Sequence, residues 1–288
     1  MIVDKPSGMT SHDVVARARR IMGTSKIGHA GTLDPMATGL LVLGIERATK
    51  LLGHLSLDRK TYLARIVLGA ATATEDAEGE IVSSAESAAL AAVSEAGVKA
   101  GIERLTGEIQ QVPSAVSAVK LDGRRAYERV RAGEHVELDA RPVSVHRFDL
   151  LGLDRQQDRV ELDVLVECSS GTYVRALARD LGADLGVGGH LGALRRTAVG
   201  PFTLDGARTL EQLDAEPRLT LSLDDAVALA FPRRDVEADL ARAVRHGQRI
   251  PAAHIGGTYG VFAPDGRALA LAVDDGQQAR SVVVLAPA

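Results

Sequence analysis

The chain has 288 residues, 45% of them hydrophobic and 25% charged, with a formal net charge of −4 at pH 7. That length supports a sizeable core in one large domain or a large one plus a small one, and the charge excludes a global basic field, so a nucleic-acid ligand would need a local basic face. The single cysteine, Cys168, permits no disulfide framework or cysteine-built zinc site, and the absence of a signal-peptide core or a span-length apolar run reads as a cytoplasmic protein without a membrane partner.

Ile2-Val3 is a short apolar start that stops at the turn-rich Asp4-Lys5-Pro6-Ser7-Gly8. Thr10 and Asp13 then have capping-box spacing ahead of Val14, Val15, Ala18 and Ile21, which recur at helical intervals. Arg17, Arg19, Arg20 and Lys26 make the far side of this helix basic, either a solvated face or a set of phosphate contacts. The helix leads into the loop Gly28-His29-Ala30-Gly31-Thr32-Leu33-Asp34-Pro35-Met36-Ala37-Thr38-Gly39. Its glycines allow close approaches that a side chain would block, and Pro35 biases Asp34 toward extended backbone. A carboxylate thus stands on a shaped loop before the apolar run 40–45; in isolation the loop reads first as an ordinary turn.

Next come a helix-like stretch over 48–55, a strand over 60–69, a polar, acidic loop over 72–80 and an alanine-rich helix over 86–105, interrupted near Gly97. Alternation over 111–121 up to Asp122-Gly123 predicts a strand and a turn. Arg124, Arg125, Tyr127, Arg129 and Arg131 follow on a short helix. Residues 141–153 and 159–168 read as strands, the second alternating through Val160, Leu162, Val164 and Val166. Gly171-Thr172 opens a helix carrying Tyr173, Arg175, Leu177 and Leu181, and residues 190–202 are extended and basic, with Arg195-Arg196 inside. From about 231 the texture changes to short strands with Gly turns, a small, mostly β module.

No phosphate-loop, dinucleotide or nucleophile-elbow motif is present, and the histidines show no zinc spacing. What remains is an Asp and a His on the loop, a Tyr on a strand and an Arg on a helix. A positioned carboxylate can act as a covalent nucleophile without metal or cofactor. A nearby guanidinium would keep it ionised, and an aromatic ring can stack on a planar base. Spacing alone does not bring the four together. Taken singly, His29 reads as a satisfied loop histidine, Tyr173 as core, Arg175 as a surface helix charge and Cys168 as a small buried hydrophobe; His12, His135, His146 and His246 read as structural or surface.

Six motifs in order, over roughly residues 2 to 200, resemble one family. The loop Gly28 to Gly39 looks like the signature loop of the TruB family of tRNA pseudouridine-55 synthases. Asp4 to Ser11 resembles its N-terminal motif, Lys60-Thr61-Tyr62 its tyrosine strand, Val112 to Tyr127 its central motif, Ser169 to Arg175 its arginine motif and Leu194-Arg195-Arg196 its last one. Ser114 and Val116 depart from it where Pro and an aromatic are frequent, and Ser170 where Lys is common.

The resemblance implies an α+β fold: a pseudouridine synthase catalytic domain over 1–230, with a central, mostly antiparallel sheet flanked by helices, and a small β-rich PUA-like RNA-binding domain over 231–288. It implies a monomer that turns the uridine at position 55 of the tRNA T-loop into pseudouridine after base flipping, with no cofactor and no metal. Asp34 would be the nucleophile, Arg175 its partner, and Tyr62 the ring stacked on the target base. His29 would hold the flipped-out T-arm, Tyr173 and Leu194 would line the base pocket, and Lys5 would support the site. The missing basic excess then calls for a local face built from Arg17, Arg19, Arg20, Lys26, Arg124, Arg125, Arg129, Arg195 and Arg196. The alternatives are a tRNA-binding folding chaperone without chemistry and a carboxylate glycoside hydrolase, which needs a second, suitably spaced acid.

Overall fold

The computed structural model describes residues 1–55, 59–114, 120–121, 124–125 and 138–287. β1 (Ile2–Lys5) leads to α1 (Ser11–Met22), where the capping box forms: Asp13 N–H donates to Thr10 Oγ1 at 3.1 Å and Thr10 N–H to Asp13 Oδ2 at 2.9 Å. Gly23, at φ 65°, closes the helix with a left-handed cap. β2 (Ile27–Ala30) pairs antiparallel with β3 (Thr38–Ile45), and β1 pairs with the other edge of β3. The expected loop is therefore strand over its first three residues, because Ile27 and Ala30 are buried and the backbone between them is paired. A 3-10 turn (Glu46–Leu51) and α2 (Leu52–Leu55) follow.

β4 (Lys60–Leu68) turns Lys60, Tyr62, Ala64, Ile66 and Leu68 inward, the period-two pattern of a strand with one covered face. β5 (Ala70–Thr72) and β6 (Ile81–Ser84) form a ribbon. α3 (Ser87–Ala92) and α4 (Glu95–Arg104) replace the single interrupted helix. The break falls at Val93-Ser94, not Gly97, because Ser94 Oγ accepts the Gly97 N–H at 3.0 Å and starts a new helix there. β7 (Gly107–Gln111) comes next, then β8 (Lys120–Leu121) and β9 (Arg124–Arg125), which pair antiparallel. Arg124 and Arg125 are thus strand rather than helix, with Asp-Gly, a tight-hairpin dipeptide, between the two strands in sequence. Tyr127, Arg129, Arg131 and Val116 lie outside the described residues.

The remaining elements are β10 (Arg141–Arg155), β11 (Val160–Cys168), α5 (Val174–Asp184), β12 (Gly189–Val199), β13 (Phe202–Thr203), α6 (Leu210–Ala215) and α7 (Leu223–Ala230). The C-terminal part holds β14 (Arg233–Asp235), α8 (Ala238–Arg245), β15 (Ile250–Pro251), β16 (Tyr259–Phe262), β17 (Ala268–Asp275) and β18 (Gln278–Val284). The α+β class with a large, mostly antiparallel sheet and a β-rich C-terminal part is the fold the chain adopts.

The chain divides into two compact units. The first comprises Met1–Pro35, Gly39–Leu57 and Val199–Ala288. Its strands β1 and β3 bury both faces. Val3, Leu41 and Leu43 pack with Val14, Val15 and Ala18 of α1 and with Leu210 and Leu213 of α6. Ile2, Leu40 and Val42 pack with Phe202, Val227, Phe262, Leu271 and Leu285. Alternation along a strand sends neighbours to opposite faces, so the C-terminal sheet, ordered β14-β16-β17-β18-β15, shares a core with the N-terminal strands.

The second unit comprises Met36–Thr38 and Asp58–Ala198. Its strands run β12-β4-β11-β10-β7, with Tyr62 opposite Val166 and Lys60 opposite Cys168. α5 buries Val174, Ala176, Leu177, Ala178 and Leu181. Among the described residues no helix is long and apolar enough to cross a membrane.

Candidate active site

In the first unit the backbone on both sides of Asp34 is pinned. Ser11 Oγ accepts from Leu33 N–H at 2.8 Å and donates to Leu33 O at 3.2 Å. On the other side, Pro35 O accepts from Gly8 N–H at 2.9 Å and from Lys5 Nζ at 3.1 Å. Lys5 is fully buried, and its ammonium also donates to Pro6 O at 2.9 Å and Met9 O at 2.6 Å. A buried cation is tolerated only when its donors are used, and here three carbonyls use them. The Asp4-to-Gly8 turn therefore clasps the Asp34 loop. Asp34 itself is half-buried. His29 lies on β2 opposite Leu43, not in a loop, and its ring meets the His12 ring edge-on with centroids 5.4 Å apart.

In the second unit Tyr62 is buried on β4. Gln111, at the end of β7, grips Tyr173 twice: Tyr173 N–H donates to Gln111 Oε1 at 2.8 Å, and Gln111 Nε2 donates to Tyr173 O at 3.1 Å. Tyr173 is half-exposed at the start of α5 rather than core. Leu194 is buried on β12, and its carbonyl accepts from Thr38 Oγ1 at 3.5 Å.

Arg175 is buried in the first turn of α5, not a surface charge. Its Nη1 donates to Thr74 O at 2.8 Å and to Ser114 Oγ at 3.3 Å, and stands 3.5 Å from Asp76 Oδ2. Asp76 Oδ1 accepts from Thr74 Oγ1 and from Glu78 N–H. The acidic loop is fixed against β12, with Leu191 N–H donating to Glu75 O at 2.9 Å and Ala77 N–H to Leu191 O at 3.0 Å. Glu75 has φ 62°, a left-handed conformation that costs a residue with a side chain about 1–3 kcal/mol and survives where its surroundings over-determine it. One turn along α5, Arg179 Nη1 donates to Glu75 Oε1 at 2.7 Å and Nη2 to Val112 O at 2.8 Å.

Residues 19–174 match the model of the family described as TruB family pseudouridylate synthase (N terminal domain). Residues 175–228 match tRNA pseudouridylate synthase B C-terminal domain, and residues 231–286 match tRNA Pseudouridine synthase II, C terminal. The chain is 60% identical to the tRNA pseudouridine synthase B of Nocardia farcinica over 287 residues, covering all of this chain and 93% of that one. It is 55% identical to the protein of that name from Mycobacterium tuberculosis H37Rv, covering all of this chain and 96% of the other. The chain belongs to the TruB family of pseudouridylate synthases. In fold it matches the solved structure titled "Crystal Structure of a Cbf5-Nop10-Gar1 Complex" with a TM-score of 0.72 at 26% identity, over 99% of this chain and 85% of that one. A second, "Structure of H/ACA RNP bound to a substrate RNA containing 2'-deoxyuridine", gives 0.73 at 23% identity over the same shares.

In this TruB-family chain the expected site residues fall in both units: Lys5, His29 and Asp34 in the first, and Tyr62, Tyr173, Arg175 and Leu194 in the second. Sequence reasoning missed Glu75, Asp76, Gln111, Ser114 and Arg179, the residues that hold Tyr173 and Arg175. An acidic run normally reads as solvent-facing, and no local pattern marks which member turns inward. The expected basic face is also reduced. Arg17 pairs with Glu211 at 3.5 Å and Asp214 at 4.0 Å, and Lys26 stands 3.8 Å from Glu46. Arg196 is fully buried, so it presents no cation to solvent.

Proposed function

We propose that this tRNA pseudouridine synthase acts on uridine 55 of the T-loop, with Asp34 as its nucleophile. The N-glycosidic bond breaks and the same ring rejoins the ribose through carbon 5. A uridine inside a folded loop must be extruded first, at a cost of a few kcal/mol. Stacking on Tyr62 returns about 1–3 kcal/mol of it. Arg175 pairs with Asp34, His29 holds the displaced arm, Tyr173 and Leu194 line the base pocket, and Lys5 supports the loop. A carboxylate that acts as a nucleophile needs a backbone that does not wander. The observation that supports the reading is the clasp on both sides of Asp34, formed by Ser11 on Leu33 and by Lys5 and Gly8 on Pro35.

The protein works in the cytoplasm as a monomer on the T-arm stem-loop of tRNA, through a catalytic domain over 1–230 and a PUA-like RNA-binding domain over 231–288. Incubation with an unmodified T-arm hairpin tests the reading. Pseudouridine forms at position 55, and Asp34→Asn abolishes conversion while the hairpin stays bound. Binding without conversion by the unaltered chain supports a folding chaperone instead; conversion by Asp34→Asn removes Asp34 as nucleophile.

A further inference from the structure

We propose that Glu75 and Arg179 are positioning residues: an ion pair that fixes the loop through which Arg175 is held. The inference rests on the reading of Arg175 as an active-site residue. Arg175 and Arg179 stand four apart on α5, so they occupy one face on successive turns. Each reaches the same two segments. Arg175 takes Thr74 O and Asp76 from the acidic loop and Ser114 Oγ from the segment after β7. Arg179 takes Glu75 from that loop and Val112 O from that segment. The two arginines form parallel rungs between the same rails, and Arg179 is the outer one.

The backbone between the rungs explains why both are needed. Asp76 and Glu75 are sequence neighbours, yet their carboxylates engage arginines on successive turns. Glu75 achieves this at φ 62°, a region that L side chains rarely adopt. Glu75 Oε2 is buried and accepts no hydrogen bond among the described residues. Both features oppose Glu75 here unless its other oxygen does something useful. That oxygen meets Arg179 at 2.7 Å, in a pair whose side chains are only 14% and 27% exposed. Arg179 Nε is in turn held by Asp180 at 2.8 Å. With the pair intact, Thr74 O and Asp76 stay where Arg175 needs them.

The test uses the full chain, an unmodified T-arm hairpin, and the variants Arg179→Met and Glu75→Gln. A misplacement near 1 Å costs on the order of 100-fold in rate, so single-turnover conversion is expected to fall roughly ten- to 100-fold. Hairpin affinity stays the same, and amide exchange over residues 73–77 speeds up. Combining Glu75→Arg with Arg179→Glu restores part of the rate. Glu95→Gln, which breaks an exposed pair with Lys99 on α4, leaves it unchanged. A purely structural role would lower the reaction amplitude and the melting temperature but not the rate constant of the folded fraction. An unchanged rate constant in either variant overturns the proposal, as does a loss confined to hairpin affinity. If Arg179→Met does not fold, the isosteric Glu75→Gln decides. If the unaltered chain does not convert the hairpin, the functional reading fails and takes the proposal with it; if it does and either variant matches its rate constant, the positioning role alone fails.

Discussion

Arg175 Nη1 lies 3.5 Å from Asp76 Oδ2, and the two side chains are only 4% and 6% exposed. Burying two charges costs roughly what their attraction returns, but removing one partner strands the other and costs about 3–5 kcal/mol. The value of the pair is therefore where it holds the guanidinium. Asp76→Ala is expected to lose about 3–5 kcal/mol in urea unfolding. Asp76→Asn keeps the acceptor facing Thr74 and Glu78 but removes the charge. It should unfold later than the alanine variant and still convert the hairpin far more slowly than the unaltered chain. An Asp76→Asn protein with full activity would show that the pair is only structural.

Lys5 makes a different demand. Lys5→Met keeps the aliphatic stem and strands two carbonyls, those of Pro6 and Met9, while Pro35 O keeps the Gly8 N–H. Each unsatisfied buried acceptor costs about 1–3 kcal/mol, so a loss of at least about 2 kcal/mol is expected. The Gly8 amide, bonded to Pro35 O at 2.9 Å, should exchange faster, and conversion should fall with it. Lys5→Arg should not rescue, because the fully buried site fits a compact ammonium with three divergent donors rather than a planar fork. Exchange and conversion equal to those of the unaltered chain would break the link between Lys5 and the Asp34 loop.

The elements written in local pattern are legible in the sequence alone. Thr10 and Asp13 mark the start of α1, and alternation marks β4 and β11, because caps and two-residue periods act within a few positions. β2 is not legible: Gly28-His29-Ala30 has weak strand propensity and is strand only because β3 pairs with it. The Val93-Ser94 break reads as lying at Gly97 because a glycine is conspicuous in sequence and a serine cap is not. Asp34, Tyr62 and Arg175 come from motif resemblance, whereas Asp76 and Glu75 do not. Their inward placement depends on contacts with α5 and β12, more than 100 residues away in the case of Arg179, and no local pattern encodes that. The basic face falls short for a related reason: sequence counts cations, but Arg17 and Lys26 are engaged by acids that only the fold brings near.

Gly182 tests the packing that seats α5. A Cβ there would lie 2.2 Å from Gly189 N and 2.3 Å from Gly188 C. Both are backbone atoms, so no side-chain rotation relieves the clash. Gly→Ala inside a helix ordinarily gains about 1 kcal/mol. Here the clash wins, and Gly182→Ala is expected to lose about 1–3 kcal/mol and to slow conversion as α5 shifts. Gly53→Ala is the control: nothing lies within 4 Å of its added Cβ, so its urea midpoint should be unchanged or slightly raised. Equal midpoints for both variants would mean that α5 and the start of β12 can part without cost.

Cys168 closes β11 with its side chain buried, and that burial pushes its thiol up to about 11 from an ordinary value of 9.0, with a Thr172 hydrogen bond opposing the rise. The thiolate is the reactive species, so the native chain should not react with a disulfide reagent near pH 8, while the urea-unfolded chain should react fully. The same shift has a stability consequence. Between pH 9.0 and about 11 the unfolded thiol has lost its proton and the folded one has not. Folding must then take up a proton, so stability is complete below pH 9.0 and declines as pH rises toward about 11. Cys168→Ala removes that part of the decline. Urea midpoints measured for both chains across this range should therefore converge as pH rises, and a constant gap would mean that the thiol ionises as freely in the folded chain as in the unfolded one.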